Sequence, residues 1–367
     1  MRILIAPDDF KGTMTAAEAA EAIHAGWQRV APDTDMQIRP LSDGGPGFVQ
    51  AIAAARDTEV LHATVRQSLG AYVQAAWCID NGTAFIEVAQ SVGLEFGTDI
   101  LRATSFGVGE LVLVARDAGA RRIVVGLGGS NVNDAGAGML AALGATARGV
   151  DGAPVSLIDG PLGLGAVATI DLGPAIRACT GIEIVIATDV DVPLLGPRGA
   201  TYGFAPQKGA FDVQLVALET ALQRFASVCG KRADGKDPAV ALGAGAAGGL
   251  GYAFLQLGGR RVPGIDTVWD ESGIDLTGVD LIVTGEGNLD WQSQRGKVVS
   301  GVTARGSALG IPVIALCGQV DMARRERMEL GLAGAYSMTE LVGEEQSMDR
   351  PIETLATLAE RVARTWR

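Results

Sequence analysis

The chain has 367 residues, above the size at which a single hydrophobic core usually stops growing, so two domains are expected. Hydrophobic residues at 48% and charged residues at 20% are the composition of a globular protein, and a net charge of −12 argues against a basic face for nucleic acid. Aromatic residues at 5% leave little for base-stacking platforms, and the 51 glycines follow no three-residue period, which excludes collagen.

Taken in chain order, residues 3–6 form a short apolar strand that stops at Pro7-Asp8-Asp9. Thr15 with Glu18 three residues on is a capping box, opening an Ala-rich helix over 16–30. A second strand over 36–41 ends at Ser42-Asp43-Gly44-Gly45, which completes a βαβ unit and predicts a parallel sheet with ligands at its carboxyl ends. The pattern then changes to three strands, 61–65, 71–79 and 83–88, separated by Ser68-Leu69-Gly70 and by the hairpin signal Asp80-Asn81-Gly82. Helix and strand alternate again: a helix over 110–118, a strand over 122–125, a helix from 135 and a strand over 182–187. Short buried strands follow at 280–284 and 311–316, with a last one at 334–337.

The expected fold is therefore α/β, with two α/β domains. Residues 1–60 and 280–367 make a Rossmann/flavodoxin-like parallel-sheet domain, and residues 61–279 are an inserted mixed α/β domain, with the active site in a cleft between them. The opening apolar run is too short for a signal peptide and no run of about 18 apolar residues occurs, so a cytoplasmic protein without membrane contact is expected. Cys78, Cys179, Cys229 and Cys317 lie far apart, and His24 and His62 are the only histidines, a pattern of reduced thiols rather than structural zinc.

Several loops carry polar groups suited to chemistry. Residues 126–138 follow a strand and open a helix, so their amides form an anion-binding concavity with Gly128, Gly129, Ser130, Asn133 and Asp134 at its mouth; an Asx-capped tight turn is the plainer alternative. Residues 243–251 contain GxGxxG, including Gly245 and Gly248, with Asp266 about twenty residues later. The preceding 240–242 is barely a strand and no βαβ unit follows, so a nucleotide contact or a close-packed helix start fits better than a dinucleotide site. Residues 230–237 come near a Walker A loop, but Asp237 stands where Ser or Thr is required, as expected of a solvated linker.

Carboxylates follow predicted strands at Asp8, Asp9, Asp43, Asp189, Asp191, Glu286 and Asp290. Singly each is an ordinary turn or cap residue. Together at one crevice they can hold Mg²⁺ or accept the proton of a substrate hydroxyl. Lys11, Arg198, Lys208 and Lys297 lie close in sequence to these loops and are candidate partners for phosphate or carboxylate.

Residues 5–13, Leu41-Ser42-Asp43-Gly44-Gly45, 104–110, 126–138, 189–196, 204–210, 243–251, 284–290 and Arg295-Gly296-Lys297, taken in order, resemble the bacterial glycerate kinase family that is unrelated to P-loop kinases. The resemblance implies an ATP- and Mg²⁺-dependent kinase forming 2-phosphoglycerate from D-glycerate, built of two α/β domains. It implies that Asp8, Lys11, Asp43, Asp189, Glu286 and Asp290 line the cleft, without giving their individual roles. The working assignment puts Asp8, Lys11, Asp43 and Asp189 at the chemistry, with Asp189 as candidate base and Lys11 drawing in a phosphate or carboxylate; Gly128, Gly129, Ser130, Asn133, Asp134, Gly245, Gly248 and Lys297 at the cofactor; and Asp191, Glu286 and Asp290 at the metal. The implied partners are a small hydroxy acid and ATP, with the protein a monomer or homodimer. Two departures stand out: Asp9 where the family usually has Ser, and Pro46 where it usually has Glu. They leave open a kinase of another small hydroxy acid; an NAD-dependent oxidoreductase and a non-catalytic ligand-binding protein are the remoter alternatives.

Overall fold

The computed structural model describes residues 1–291 and 298–366. The chain forms two compact units. The first comprises Met1–Asp43, Gln50–Asp57 and the chain from Pro263 onward; the second comprises Gly44–Val49 and Thr58–Val262.

In the first unit five strands form one parallel sheet in the order Gly334–Ser337, Val313–Cys317, Leu281–Thr284, Arg2–Ile5, Asp35–Ile38. The three inner strands are runs of Ile, Leu and Val buried along almost their whole length, as required of a sheet covered on both faces. Counted by appearance within this unit, the spatial order is 2-1-3-4-5, the flavodoxin-like order. Its topological switch point lies between Arg2–Ile5 and Leu281–Thr284. The helix Ala16–Gln28 starts at the expected capping box, Thr15 Oγ1 accepting from the Glu18 amide (3.2 Å) and Glu18 Oε2 from the Thr15 amide (2.8 Å). It packs against Pro351–Ala363, and a Cβ at Gly26 would lie 2.1 Å from the Ala356 carbonyl oxygen, so only glycine permits this approach. Ile3, Ile23, Trp27, Val283, Leu316 and Leu355 fill the core between helices and sheet.

In the second unit a six-stranded sheet runs Arg260–Val262, Glu183–Ala187, Arg122–Gly126, Thr83–Glu87, Tyr72–Asp80, Leu61–Arg66. The first four strands are mutually parallel and the last two antiparallel, so the sheet is mixed as expected. The hairpin between Tyr72–Asp80 and Thr83–Glu87 turns on Asn81 (φ 48°) and Gly82 (φ 77°), the left-handed pair that matches strand twist. Val65, Ile86, Val125, Leu140, Phe225 and Phe254 belong to its core.

The division differs from the expected boundaries at three places, the smallest being residues 58–60, which fall in the second unit. Residues 263–279 join the first unit because the helix Gly264–Glu271 is tied to Val298–Leu309: Ile265 sits where a Cβ on Gly301 would be, Asp266 pairs with Arg305 (2.7 Å), and that guanidinium lies over Trp269. Residues 44–49 join the second unit through backbone contacts described below. The residues 230–237 form an exposed turn after the helix Asp212–Cys229, with Arg232 paired to Asp234, in keeping with a linker. Cys78, Cys179 and Cys317 are buried and Cys229 partly so, all as free thiols. Among the described residues no helix is long and apolar enough to cross a membrane.

Candidate active site

Each unit gathers polar groups at the carboxyl ends of its parallel strands. In the first unit the carboxylates stand at the switch point itself. Asp8 follows Arg2–Ile5 and Glu286 follows its neighbour Leu281–Thr284; both are buried. The two turns are stitched together: the Asp8 amide donates to the Gly285 carbonyl (2.8 Å) and the Thr284 hydroxyl to the Ala6 carbonyl (2.8 Å). A Cβ on Gly285 would lie 2.0 Å from the Leu316 carbonyl oxygen, so glycine is what lets the turn before Glu286 hug the next strand. Asp43, half-buried, follows Asp35–Ile38 on the other side.

These groups are electrostatically joined. Burial, reinforced by the negative charges of Asp43, Asp9 and Glu286, pushes the Asp8 carboxyl well above the usual carboxylate range, although the Asp9 amide donates to its Oδ1 (2.9 Å). Lys11 is exposed in the tight loop closed by the Phe10–Met14 bridge, and Asp290 is half-buried beside the short Asn288–Leu289 strand. Lys297 lies outside the described residues. Among the described residues no three His, Cys, Asp or Glu side chains are arranged to cage a metal ion. Magnesium does not require that, since it is usually held by one or two carboxylates, with waters and phosphates completing the shell. Hard oxygen donors of like charge fit such a cation.

The second unit builds its site on the loop 126–138. Gly128 Cα-to-backbone packing is extreme: its amide donates to the Gly44 carbonyl (3.1 Å), and a Cβ there would lie 2.3 Å from Gly45 Cα. Pro46 rests against Gly129, whose Cβ would meet Pro46 Cγ at 3.0 Å. Gly128, Gly129, Ser130, Lys208, Gly245 and Ala246 line one cavity of about 150 Å³, so the structure brings together loops that are over a hundred residues apart in sequence. Lys208 is buried beneath it, its Nζ donating to Ser130 Oγ (3.0 Å) and the Val132 carbonyl (2.8 Å); burial lowers its pKa to about 7 against the opposing pull of Asp134.

Three residues expected at the cofactor are instead inside the scaffold. Asp134 is fully buried, with Oδ2 accepting from the Ser105 amide and hydroxyl (both 2.8 Å) and the Gly138 amide (3.2 Å), and Oδ1 from the Gly136 amide (3.0 Å). Burial raises its pKa, opposed by these bonds. It holds the loop's return through Ala135 (φ 52°) and Gly136 (φ 70°) rather than facing a ligand. Asn133 is fully buried and donates to Thr201 Oγ1 (3.3 Å). Gly248 (φ 65°) packs where a Cβ would lie 1.9 Å from the Val132 carbonyl oxygen, and its own carbonyl accepts from the Ala135 amide (3.0 Å). The GxGxxG segment is thus a close-packed helix start before Leu250–Gln256, preceded by a 3₁₀ turn and not by a strand. Asp189 is half-buried and Asp191 exposed on the loop after Glu183–Ala187.

Two ionisable residues lie outside the working assignment. Lys208 is among the expected candidate partners for phosphate or carboxylate; its burial could not be read from a local pattern. Glu87, buried at the end of Thr83–Glu87, accepts from the Gln90 side chain (3.1 Å) and the amides at the start of the helix Phe48–Arg56, including Val49 (3.4 Å). Burial raises its pKa to about 7 against those bonds. A lone carboxylate closing an otherwise apolar buried strand was the available signal.

The model of the glycerate kinase family matches residues 3–367. The chain is 40% identical over 353 residues to the glycerate 2-kinase of Escherichia coli, covering 94% of this chain and 92% of that protein. It is 35% identical over 371 residues to the glycerate kinase of Halalkalibacterium halodurans, covering 99% and 96%. A crystal structure from Salmonella typhimurium, assigned as glycerate kinase 2, superposes with a TM-score of 0.84 at 36% identity, covering 100% of this chain and 98% of that one.

Proposed function

We propose, from the premise that this chain belongs to the glycerate kinase family and is a phosphotransferase with an alcohol acceptor, that it transfers the terminal phosphoryl group of ATP to D-glycerate and releases 2-phosphoglycerate. The observation that carries the reading is the carboxylate group of buried Asp8 and Glu286 and half-buried Asp43 at the switch point of the first unit. Open α/β sheets bind their ligands there. Phosphoryl transfer needs little covalent help, so positioned charge does most of the catalysis.

In this reading Glu286 and Asp290 are the residues that would hold Mg²⁺, which when bound supplies charge neutralisation to the phosphates. Asp8 and Asp43 orient the acceptor, and Asp189 takes the proton of the attacking hydroxyl. Lys11, exposed on its long flexible stem, draws in the anionic substrate. Gly128, Gly129, Ser130 and Gly245 line the anion-binding cavity of the second unit.

A second reading, a kinase of another small hydroxy acid, is favoured by Asp9 and Pro46: the first adds charge next to Asp8, and the second touches Gly129 of the cavity. Both are tested by ATP turnover with Mg²⁺ over a panel of hydroxy acids, with products identified by phosphorus NMR. A 2-phosphoglycerate resonance from D-glycerate is expected. A 3-phospho product corrects the position of transfer, turnover of a different acid alone selects the second reading, and absence of turnover with every acid refutes both.

A further inference from the structure

Lys208 presents an unusual arrangement for a buried cation. Its side chain is 4% exposed, yet both its hydrogen-bond acceptors, Ser130 Oγ and the Val132 carbonyl, are neutral. Among the described residues no carboxylate forms an ion pair with it: Asp134, the acidic group acting on it, has both oxygens engaged by Ser105, Gly136 and Gly138. An ammonium has three N–H donors, and two are accounted for. Removing such a charge from water without a counter-ion is costly, and a perturbed titratable group that lines a cavity is a candidate for ligand contact.

The surroundings define that ligand. The cavity that Lys208 lines holds about 150 Å³, below the roughly 300–1,000 Å³ of pockets that enclose drug-sized molecules. It has room for the head of a small anion. Gly128, Gly129 and Gly245 leave backbone on its wall, and Leu127 and Phe204 add apolar surface. Val132, whose carbonyl accepts from Lys208, lies in a segment against which Gly248 packs closely.

We propose that Lys208 is the counter-charge of a small-oxyanion subsite in this cavity, taking either the carboxylate of the hydroxy-acid substrate or a phosphate of the nucleotide. Only the two named sources rest on the kinase reading; an oxyanion subsite stands on the geometry alone. A lysine whose proton affinity is lowered by burial regains it when an anion arrives, so the ligand also completes its charge.

The test uses the full chain and its Lys208→Met and Ser130→Ala variants, titrated calorimetrically with inorganic phosphate, D-glycerate and ATP, with thermal melts in the presence and absence of each. Lys208→Met is expected to weaken one of these anions by about 10- to 100-fold, the scale of a lost hydrogen bond to a charged group, and to abolish the melting shift it causes, while the ligand-free melt does not fall. Ser130→Ala, which keeps the ammonium, should weaken the same anion only a few-fold. Loss confined to D-glycerate identifies the carboxylate; loss shared by phosphate and ATP identifies the nucleotide. A Lys208→Met protein that melts lower without ligand but binds all three as before overturns the proposal in favour of a structural lysine, as does wild-type protein that binds none. If D-glycerate is never turned over but phosphate binding still depends on Lys208, the subsite stands and the kinase reading falls. Should Lys208→Met not fold, unchanged anion binding by Ser130→Ala decides against the subsite.

Discussion

Glu87→Gln offers the sharpest test of the second unit's electrostatics. The Glu87 carboxyl is buried, and its pKa rises from 4.5 to about 7 on folding. A raised acid pKa means that the folded state holds the proton more tightly than the unfolded chain. Its contribution to stability is therefore complete below about 4.5 and is lost as pH climbs through about 7. The full span is about 2.5 pH units at about 1.4 kcal/mol each, roughly 3 kcal/mol, of which about 2.5 kcal/mol falls between pH 5 and 8.5. Glutamine keeps an oxygen for the helix-start amides but turns an NH₂ toward Gln90, whose own oxygen already accepts from the Ala76 amide (3.1 Å). That substitution costs about 1 kcal/mol at every pH. Urea unfolding of both proteins at pH 5 and 8.5 should show the variant close to wild type or slightly weaker at the lower pH and more stable by about 2 kcal/mol at the higher. The difference between the two proteins isolates this group from everything else that titrates. Parallel pH dependence in variant and wild type would refute the reasoning, because it would mean that Glu87 is ionised alike in both states.

The remaining predictions concern the two loop systems. Asp8→Asn should lower turnover by about 100-fold or more, as the loss of a group oriented at a charged transition state does, while raising the melting temperature at pH 8 because it relieves the carboxylate cluster; turnover within a few-fold of wild type removes Asp8 from the site. Gly248→Ala combines a left-handed backbone with a Cβ placed 1.9 Å from the Val132 carbonyl oxygen, so it should cost at least about 2 kcal/mol and lower the melting temperature. An unchanged melt would show that this contact yields more easily than its geometry suggests.

Much of the fold was legible because its signals are local. The capping box at Thr15 and Glu18, the Asn81-Gly82 hairpin, and the all-apolar strands at residues 281–284 and 313–317 depend on neighbours in sequence, and each forms as expected. Parallel character followed from strands too apolar to face water on either side. The acids after those strands were likewise recognisable, since a carboxylate at the end of a buried strand stands out against it. What sequence could not supply was which strand lies beside which. The 2-1-3-4-5 order, which sets Asp8 next to Glu286 across more than 270 residues, is decided by packing of helices such as Ala16–Gln28 on Pro351–Ala363. The domain boundary shifted for the same reason, with Asp266 and Trp269 drawn to Arg305 by contacts that no linker composition announces.

The glycines show the division most clearly. Their clustering marked the loops, but Gly248 and Gly128 look alike in sequence; one is buried against a carbonyl and the other lines a cavity. Likewise Asp134 and Lys208 read as a cofactor contact and a candidate phosphate or carboxylate partner, yet burial makes the acid a brace and leaves the lysine bonded only to neutral acceptors beneath the loop. Residue type and order determined which chemistry the chain can carry. Tertiary packing alone determined which groups lose their water, and loss of water is what separates a structural contact from a site.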